Sequence, residues 1–146
     1  MEILRTENLC KTYGSGETKV EALKNANISI NEGEFVAVVG PSGSGKSTLL
    51  HLLGGVDKPT SGKVFVDNID IYSLNEKQLA IFRRRKVGFV FQFYNLIPVL
   101  TAEENILLPI LLDNRKPDKA YIEELLDLLG LQDRRNHLPS ELSGGQ

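Results

Sequence analysis

The stretch Gly40-Pro41-Ser42-Gly43-Ser44-Gly45-Lys46-Ser47-Thr48, "GPSGSGKST", decides the fold of this chain. It satisfies the pattern G-x-x-x-x-G-K-[ST] in full. The apolar run of residues 35–39 comes directly before it and predicts a strand buried on both faces of a parallel sheet. The residues after it predict a helix over 46–53 that stops at Gly54-Gly55. A strand, a glycine-rich loop and a helix in this order form a cradle for phosphate, so we name residues 40–48 the phosphate loop.

The residue types in the phosphate loop match the chemistry of a triphosphate. Glycines permit backbone angles that direct consecutive N–H groups into one concavity. Lys46 is predicted to supply positive charge to the β- and γ-phosphates, Ser47 a hydroxyl ligand for Mg²⁺, and Thr48 a cap on the α-phosphate side. The alternative, a glycine-rich turn with no ligand, does not account for the full pattern between a strand and a helix. The motif indicates a nucleoside triphosphate and leaves open both the base and the choice between hydrolysis and transfer.

The composition argues against several classes of function. The chain has 146 residues, a net charge of −2 and one cysteine, Cys10. This charge balance predicts no nucleic-acid partner, and a single cysteine permits no intrachain disulfide, as expected in a reducing cytoplasm. No signal peptide is predicted, and no apolar stretch approaches the roughly 20 residues of a membrane-spanning helix. We therefore expect no direct insertion into a membrane.

The chain as a whole predicts an α/β fold: a P-loop NTPase core with an incomplete parallel sheet, an antiparallel β element and a helical subdomain. Residues 87–91 predict a second buried strand, and residues 3–9, 22–30, 63–66 and 69–72 predict further strands, the last two forming a hairpin. Ser73 with Glu76 and Thr101 with Glu104 have capping-box spacing and predict helices over 75–85 and 101–112. Another helix is expected over 118–129, with Pro117 at its first position. The predicted domains are a nucleotide-binding core with the β subdomain, 1–91, and a helical subdomain, 92–146.

Three motifs occur in order along the chain and carry a family resemblance. They are the phosphate loop, the strand-to-loop junction Phe89-Val90-Phe91-Gln92, and the terminal Leu142-Ser143-Gly144-Gly145-Gln146. Together they resemble the ATP-binding subunit of an ABC transporter, since LSGGQ is close to diagnostic when a phosphate loop lies upstream. Residues 54–62 and 91–98 also resemble one branch of that family. That branch serves lipoprotein release, macrolide export and antimicrobial-peptide resistance, with large-loop permeases as partners.

The resemblance implies ATP and Mg²⁺ as cofactors and a role for several further residues. Tyr13 resembles the aromatic residue that stacks on adenine, and Gln92 the glutamine that reaches Mg²⁺ or the attacking water. The resemblance also implies a head-to-tail dimer, in which the second nucleotide-binding subunit's ATP is contacted in trans by Ser143, Gly144, Gly145 and Gln146. The loop that begins at Phe93 and ends at Leu100 is expected to contact a transmembrane permease. Such a subunit lies in the cytoplasm, peripheral to the inner face of the cell membrane.

Catalysis by this chain alone is not expected to be complete. The family hydrolyses ATP with an apolar strand ending in Asp and Glu and with a later His, all downstream of the LSGGQ motif, so this fragment is expected to bind ATP weakly and to turn it over little or not at all. The parent protein is expected to be an ATPase that couples ATP binding and hydrolysis to permease movement, in export or peptide resistance. Two alternatives stay open: a non-catalytic nucleotide-binding or permease-docking module, and another P-loop kinase. A GTPase is disfavoured because no Asn-Lys-x-Asp element is found.

Overall fold

The computed structural model describes the whole chain, Met1–Gln146, as two compact units. The first unit is Met1–Gly88 and the second is Phe89–Gln146. Strands are confined to the first unit, whereas the second contains only helices, turns and loops.

The first unit is built on an antiparallel sheet centred on one long strand. The strands are β1 (Glu2–Tyr13), β2 (Val20–Ala26), β3 (Ser29–Asn31), β4 (Ser61–Val66) and β5 (Ile69–Asp70). One edge of β1 pairs with β2, where Tyr13 lies opposite Val20, and with β3, where Leu4 lies opposite Ile30. Its other edge pairs with β4, which pairs in turn with β5. The predicted antiparallel element is therefore confirmed, including its 63–66 strand and the hairpin. The second strand of the hairpin, predicted over 69–72, ends at Asp70, because Ile71–Ser73 form a 3₁₀ turn.

A single buried threonine divides the strand predicted over residues 22–30. Thr6 of β1 donates its hydroxyl to the Ala26 carbonyl and accepts from the Ile28 amide, both at 2.9 Å. These side-chain bonds lie where β2 ends and β3 has not begun, beside one backbone bond from the Thr6 amide to the Ile28 carbonyl at 2.9 Å. The pattern of apolar residues continues through this break, which explains why the sequence predicts one strand where there are two.

Two helices cover the sheet of the first unit: α1 (Lys46–Leu53) and α2 (Glu76–Lys86). The bounds predicted for α1 are confirmed. The core packs residues from both helices against the sheet and the short turn after β5, namely Leu9, Leu49, Leu52, Val64, Val66, Ile71, Leu79 and Phe82.

The cap predicted for α2 is wrong by two residues. Asn75 accepts a hydrogen bond from the Gln78 amide at 2.9 Å, and the Gln78 side chain accepts one from the Asn75 amide at 3.1 Å. Ser73 instead donates to the Asp70 carbonyl in the preceding 3₁₀ turn, Ile71–Ser73. Both pairs have capping spacing. The Ser73 hydroxyl is already bonded within the turn after β5, and Asn75 caps α2 instead.

The parallel part of the predicted sheet is not formed, and the prediction of buried strands at residues 35–39 and 87–91 is wrong. Neither run is a strand, and no pair of strands in the chain is parallel. Phe35 is 98% exposed and Val90 97% exposed. A strand buried on both faces needs a hydrogen-bonded neighbour on each edge, and no segment of the chain pairs with either run.

The second unit is a pair of helices, α3 (Ala102–Leu112) and α4 (Lys119–Leu128). The predicted capping box of α3 is confirmed, because Thr101 accepts from the Glu104 amide at 3.2 Å and Glu104 accepts from the Thr101 amide at 2.8 Å. Asp118, rather than Pro117, opens α4 by accepting from the Ala120 amide at 3.0 Å. The core of this unit is formed by buried side chains of α4 and the following turn, Ile122, Leu126 and Leu131.

Candidate functional site

The phosphate loop lies in the first unit and leads directly into α1. Gly45 is the residue before the helix, with a left-handed φ of +85°, and its carbonyl accepts the first helical bond from the Leu49 amide at 2.8 Å. Gly43 has a φ of +79°. Both angles lie where residues with a Cβ are strained, which is the physical reason for glycine at these two positions. The loop therefore delivers the N-terminal amides of α1, with their partial positive charge, to its concave side.

The side chain of Lys46 is folded back onto the phosphate loop. Its ammonium donates to the carbonyls of Gly40 at 2.9 Å and Pro41 at 2.7 Å, and to the Ser44 hydroxyl at 3.4 Å. A lysine ammonium has three N–H donors, and each has a partner within the loop. The positive charge is consequently held at the centre of the loop, where the sequence predicts phosphate oxygens.

The remaining polar groups of the phosphate loop line its accessible surface. Ser42 and Ser47 are exposed, and Thr48, in the first turn of α1, is half-buried. Ser47 presents a hydroxyl oxygen next to Lys46, a donor that suits Mg²⁺ when phosphate oxygens supply other ligands. The structure contains no group of three or more His, Cys, Asp or Glu side chains placed to hold a metal ion.

Tyr13, at the end of β1, is fixed by a polar cluster that includes Lys11 and Asp57. Its hydroxyl donates to Asp57 Oδ2 at 2.7 Å, and the Lys11 ammonium donates to Asp57 Oδ1 at 2.8 Å. The same ammonium lies 4.7 Å from the centre of the Tyr13 ring, a cation–π contact. The ring remains 42% exposed. Tyr13 is thus an exposed aromatic surface whose edge is anchored.

The electrostatics of this cluster follow from burial and hydrogen bonding. Burial raises the pKa of Tyr13, and its bond to Asp57 adds to that effect. Burial alone would raise the pKa of Asp57, but bonds from Lys11, Tyr13 and the Lys58 amide outweigh it and lower the pKa below its usual value. Asp57 follows the end of the helix that Lys46 begins, so the bond from the Tyr13 hydroxyl ties the ring to the segment after α1.

Sequence reasoning did not identify Lys11 and Asp57 as parts of a site. Asp57 lies 44 residues from Tyr13 along the chain, in the connection between α1 and β4. No spacing rule links an aspartate after a helix to a strand so far upstream. A weak signal was the lysine two residues before Tyr13, since alternate residues of a strand point to the same side.

The other predicted site residues belong to the second unit. Gln92 is exposed, in a segment without regular secondary structure. Ser143 and Gln146 form a turn, in which the Ser143 amide donates to Gln146 Oε1 at 2.9 Å and the Gln146 amide to the Ser143 carbonyl at 3.0 Å. The Tyr94 hydroxyl lies against Gly144, where a Cβ would come within 2.6 Å of it. Tyr94, Ser143, Gly144 and Gln146 line a cavity of about 510 Å³ with the apolar side chains of Phe89, Val90, Phe91, Leu96 and Leu142, whereas Gln92 does not line it.

The sequence motifs and this loop geometry agree with a comparison against protein families. The ABC transporter family profile matches residues 23–146, which contain the phosphate loop, Gln92 and the terminal LSGGQ.

This chain belongs to the ABC transporter family.

Individual members of the ABC transporter family match nearly the whole chain. An uncharacterized ABC transporter ATP-binding protein of Thermotoga maritima is 48% identical over 147 residues, covering 99% of this chain and 63% of that protein. The lipoprotein-releasing system ATP-binding protein LolD of Geobacter metallireducens is 48% identical over 146 residues, covering 99% of this chain and 65% of LolD. This chain therefore spans slightly less than two thirds of the length of these relatives, and the predicted family is confirmed.

A solved structure has the same fold. It is the dimeric ATP-binding cassette MJ0796 of Methanocaldococcus jannaschii, bound to ADP and Pi in a post-hydrolysis state. It is 46% identical to this chain, with a TM-score of 0.88 over 99% of this chain and 65% of that one. The α/β fold of an ABC ATPase is therefore shown for this chain. None of its helices has both the length and the apolar character needed to cross a membrane.

Proposed function

We propose that this chain is the ATP-binding part of an ABC transporter subunit and that it binds Mg-ATP at the phosphate loop. The observation that carries the proposal is the Lys46 ammonium, held by the Gly40 and Pro41 carbonyls at the centre of a loop that opens a helix. The dimer of the relative MJ0796 was solved with ADP and Pi, the products of ATP hydrolysis, which supports the same ligand class here.

Each polar group of the loop has a role in this proposal. Loop and helix amides hold the α- and β-phosphates, and Lys46 supplies charge to the β- and γ-phosphates. The residues Gly40, Pro41, Ser42, Gly43, Ser44, Gly45, Lys46, Ser47 and Thr48 form this cradle. Ser47 would ligate Mg²⁺, which when bound neutralises charge that develops on the β- and γ-oxygens. Thr48 closes the α-phosphate side, and the Tyr13 ring offers its face to adenine.

The proposal extends to a partner subunit. In MJ0796 two cassettes form a dimer. We propose that two copies assemble head to tail, so that Ser143, Gly144, Gly145 and Gln146 of one copy reach the γ-phosphate held by the other. Gln92 would orient the attacking water and contact Mg²⁺. The whole protein would then hydrolyse ATP and couple that reaction to transport.

The proposed contact with a permease rests on exposed apolar residues. Phe93, Tyr94 and Val99 are all mostly exposed in the loop between Phe93 and Leu100. Large apolar side chains in an exposed loop mark an interaction surface. We propose that this loop docks a transmembrane permease at the inner face of the cell membrane. The relative LolD belongs to a lipoprotein-releasing system, which supports the export or peptide-resistance branch.

The two apolar runs without strand partners fit the same proposal. Phe35, Val39 and Val90 are exposed next to backbone that no strand pairs with. We propose that each of the runs 35–39 and 87–91 becomes a strand when another strand pairs with it. The nucleotide-binding core, 1–91, and the helical subdomain, 92–146, would then be the two parts of one cassette.

Equilibrium binding tests the nucleotide site directly. The dissociation constant for Mg-ATP is measured by calorimetry for the wild-type chain, for Lys46→Ala and for Lys77→Ala. Lys77 is an exposed lysine of α2 and serves as a matched control for the loss of one positive charge. A hydrogen-bonded charge accounts for about a tenfold to hundredfold change in affinity, so Lys46→Ala is expected to weaken binding by that factor. Equal affinities for the two variants would contradict the proposal.

A further inference from the structure

The anchor of Tyr13 is less exposed than the ring that it holds. The side chain of Lys11 is 13% exposed and that of Asp57 is 31% exposed. Asp57 Oδ1 accepts from both the Lys11 ammonium and the Lys58 amide, the latter at 2.7 Å, and Oδ2 accepts from the Tyr13 hydroxyl. Both carboxylate oxygens are therefore engaged, and one of them fixes the aromatic side chain.

The backbone around Asp57 is itself tied to the rest of the first unit. The Tyr72 hydroxyl lies 2.6 Å from the carbonyls of both Leu52 and Asp57. Burial raises the pKa of Tyr72, with the nearby Asp57 charge adding to it, so this hydroxyl stays protonated as a donor. The Thr60 amide donates to the Cys10 carbonyl at 2.9 Å. The aspartate is thus fixed to the end of α1 and to β1 together.

The bonds around Asp57 connect the Tyr13 ring to the phosphate loop by way of α1. Lys46 begins α1, and Leu52 lies near its end. The path from the loop to the ring runs along this helix to Leu52, across the Tyr72 hydroxyl to Asp57, and then to Tyr13. A nucleotide that uses both sites must match the separation that this path sets.

We propose that Lys11 and Asp57 are positioning residues for the purine of the nucleotide, acting by holding the Tyr13 ring at a fixed place relative to the phosphate loop. This inference rests on the proposed function, because it requires Tyr13 to stack on the base. A ring that is already fixed loses less conformational freedom when a base stacks on it. The anchor is therefore expected to affect affinity for the base and not affinity for the phosphates.

Two ligands separate these contributions: Mg-ATP, and inorganic triphosphate with Mg²⁺, which has no base. Binding of both is measured by calorimetry with the full chain, for Asp57→Asn and Lys11→Met. Lys58→Met is the matched control, since the Lys58 ammonium bonds Glu76 at 2.8 Å and its side chain is 69% exposed. Asp57→Asn and Lys11→Met are expected to weaken Mg-ATP about twofold to tenfold and to leave triphosphate unchanged. Lys58→Met is expected to change neither.

A double-mutant cycle distinguishes positioning from a general structural role. Tyr13→Phe keeps the ring and removes the hydroxyl, and it is expected to weaken Mg-ATP but not triphosphate. In that background Asp57→Asn should add little, since the bond through which it acts is already gone. Tyr13→Phe is a mild change in a partly exposed ring, so it supplies the test even if Asp57→Asn does not fold.

The outcomes separate this inference from the proposed function. Equal weakening of Mg-ATP and triphosphate by Asp57→Asn, additivity in the Tyr13→Phe background, or an unchanged Mg-ATP affinity in Tyr13→Phe would each overturn the positioning role. Those results leave the phosphate loop as the nucleotide site. A wild-type chain that binds neither ligand, or whose binding is insensitive to Lys46→Ala, overturns the proposed function and this inference with it.

Discussion

Gly45 and Gly43 form a matched pair that tests why α1 begins where it does. Both have a left-handed φ, +85° and +79°. They differ in their surroundings. A Cβ on Gly45 would lie well inside 3.0 Å of the Ala22 carbonyl oxygen in β2, whereas a Cβ on Gly43 would meet nothing within 4 Å. The start of the helix is therefore packed directly on the sheet at Gly45, and the loop is open at Gly43.

The expected losses of unfolding free energy follow from the left-handed φ of both glycines and from the close approach of the Ala22 carbonyl to Gly45. A non-glycine residue in the left-handed region costs about 1–2 kcal/mol, which applies to Gly43→Ala and to Gly45→Ala alike. Overpacking against fixed neighbours adds about 1–3 kcal/mol, and it applies only to Gly45→Ala. The expected losses of unfolding free energy are therefore about 1–2 kcal/mol for Gly43→Ala and about 2–5 kcal/mol for Gly45→Ala.

Urea unfolding followed by far-UV circular dichroism measures both variants against the wild-type chain. The slope of the unfolding free energy with urea should be the same for all three, so that midpoints can be compared. If Gly43→Ala and Gly45→Ala lower the unfolding free energy by amounts that agree within about 0.5 kcal/mol, the usual limit of additivity, the reasoning is refuted. In that case α1 would not be held on β2 by close approach at Gly45. A larger loss for Gly43→Ala would refute it more strongly.

Three further predictions concern the core, a helix cap and acid stability. Leu126→Ala removes a fully buried side chain and should cost about 2–5 kcal/mol in urea unfolding, against about 0.5 kcal/mol or less for the exposed Leu128→Ala on the same helix. Thr101→Ala removes the cap of α3 and should lower stability by about 1 kcal/mol, with loss of helical circular dichroism, whereas Thr101→Ser should retain both. Because folding lowers the pKa of Asp57, its contribution is present above its unfolded pKa and is lost as the pH falls below about 4. The urea midpoint of Asp57→Asn should therefore depend less on pH in that range than the wild-type midpoint, and equal dependence would contradict this.

The parts of the fold that depend on local chemistry were predictable from the sequence. The helix after the phosphate loop begins at Lys46 because glycine supplies the left-handed turn before it, and it ends at Leu53, followed by Gly54 and Gly55. The capping box of Thr101 and Glu104 likewise acts within four consecutive residues. Such features need no distant partner, so their patterns predict them well.

The parts that depend on distant partners were not predictable. Residues 35–39 have the pattern of a buried strand, but a strand also needs neighbours that a local pattern does not contain. Thr6 breaks the strand between β2 and β3 through bonds to residues 20 and 22 positions away. The Asp57 cluster joins β1, the segment after α1 and the turn after β5 through bonds made by the side chains of Lys11, Tyr13, Asp57 and Tyr72. In each case the deciding interaction is long-range, and the local pattern is compatible with more than one result.

The folded-back Lys46 side chain changes how an affinity for nucleotide should be understood. Its ammonium already donates to two carbonyls and a hydroxyl, so a bound phosphate would have to replace hydrogen-bond partners that the ammonium already has. Binding would be an exchange, in which the Gly40 and Pro41 carbonyls give up a charged donor and take water instead. The heat of that exchange is a difference between two strong interactions, and it should be small beside the strength of either one. Replacing Lys46 would also remove these bonds from the loop in the ligand-free protein. The change in affinity measured for Lys46→Ala therefore includes a change in the free state as well as in the bound state.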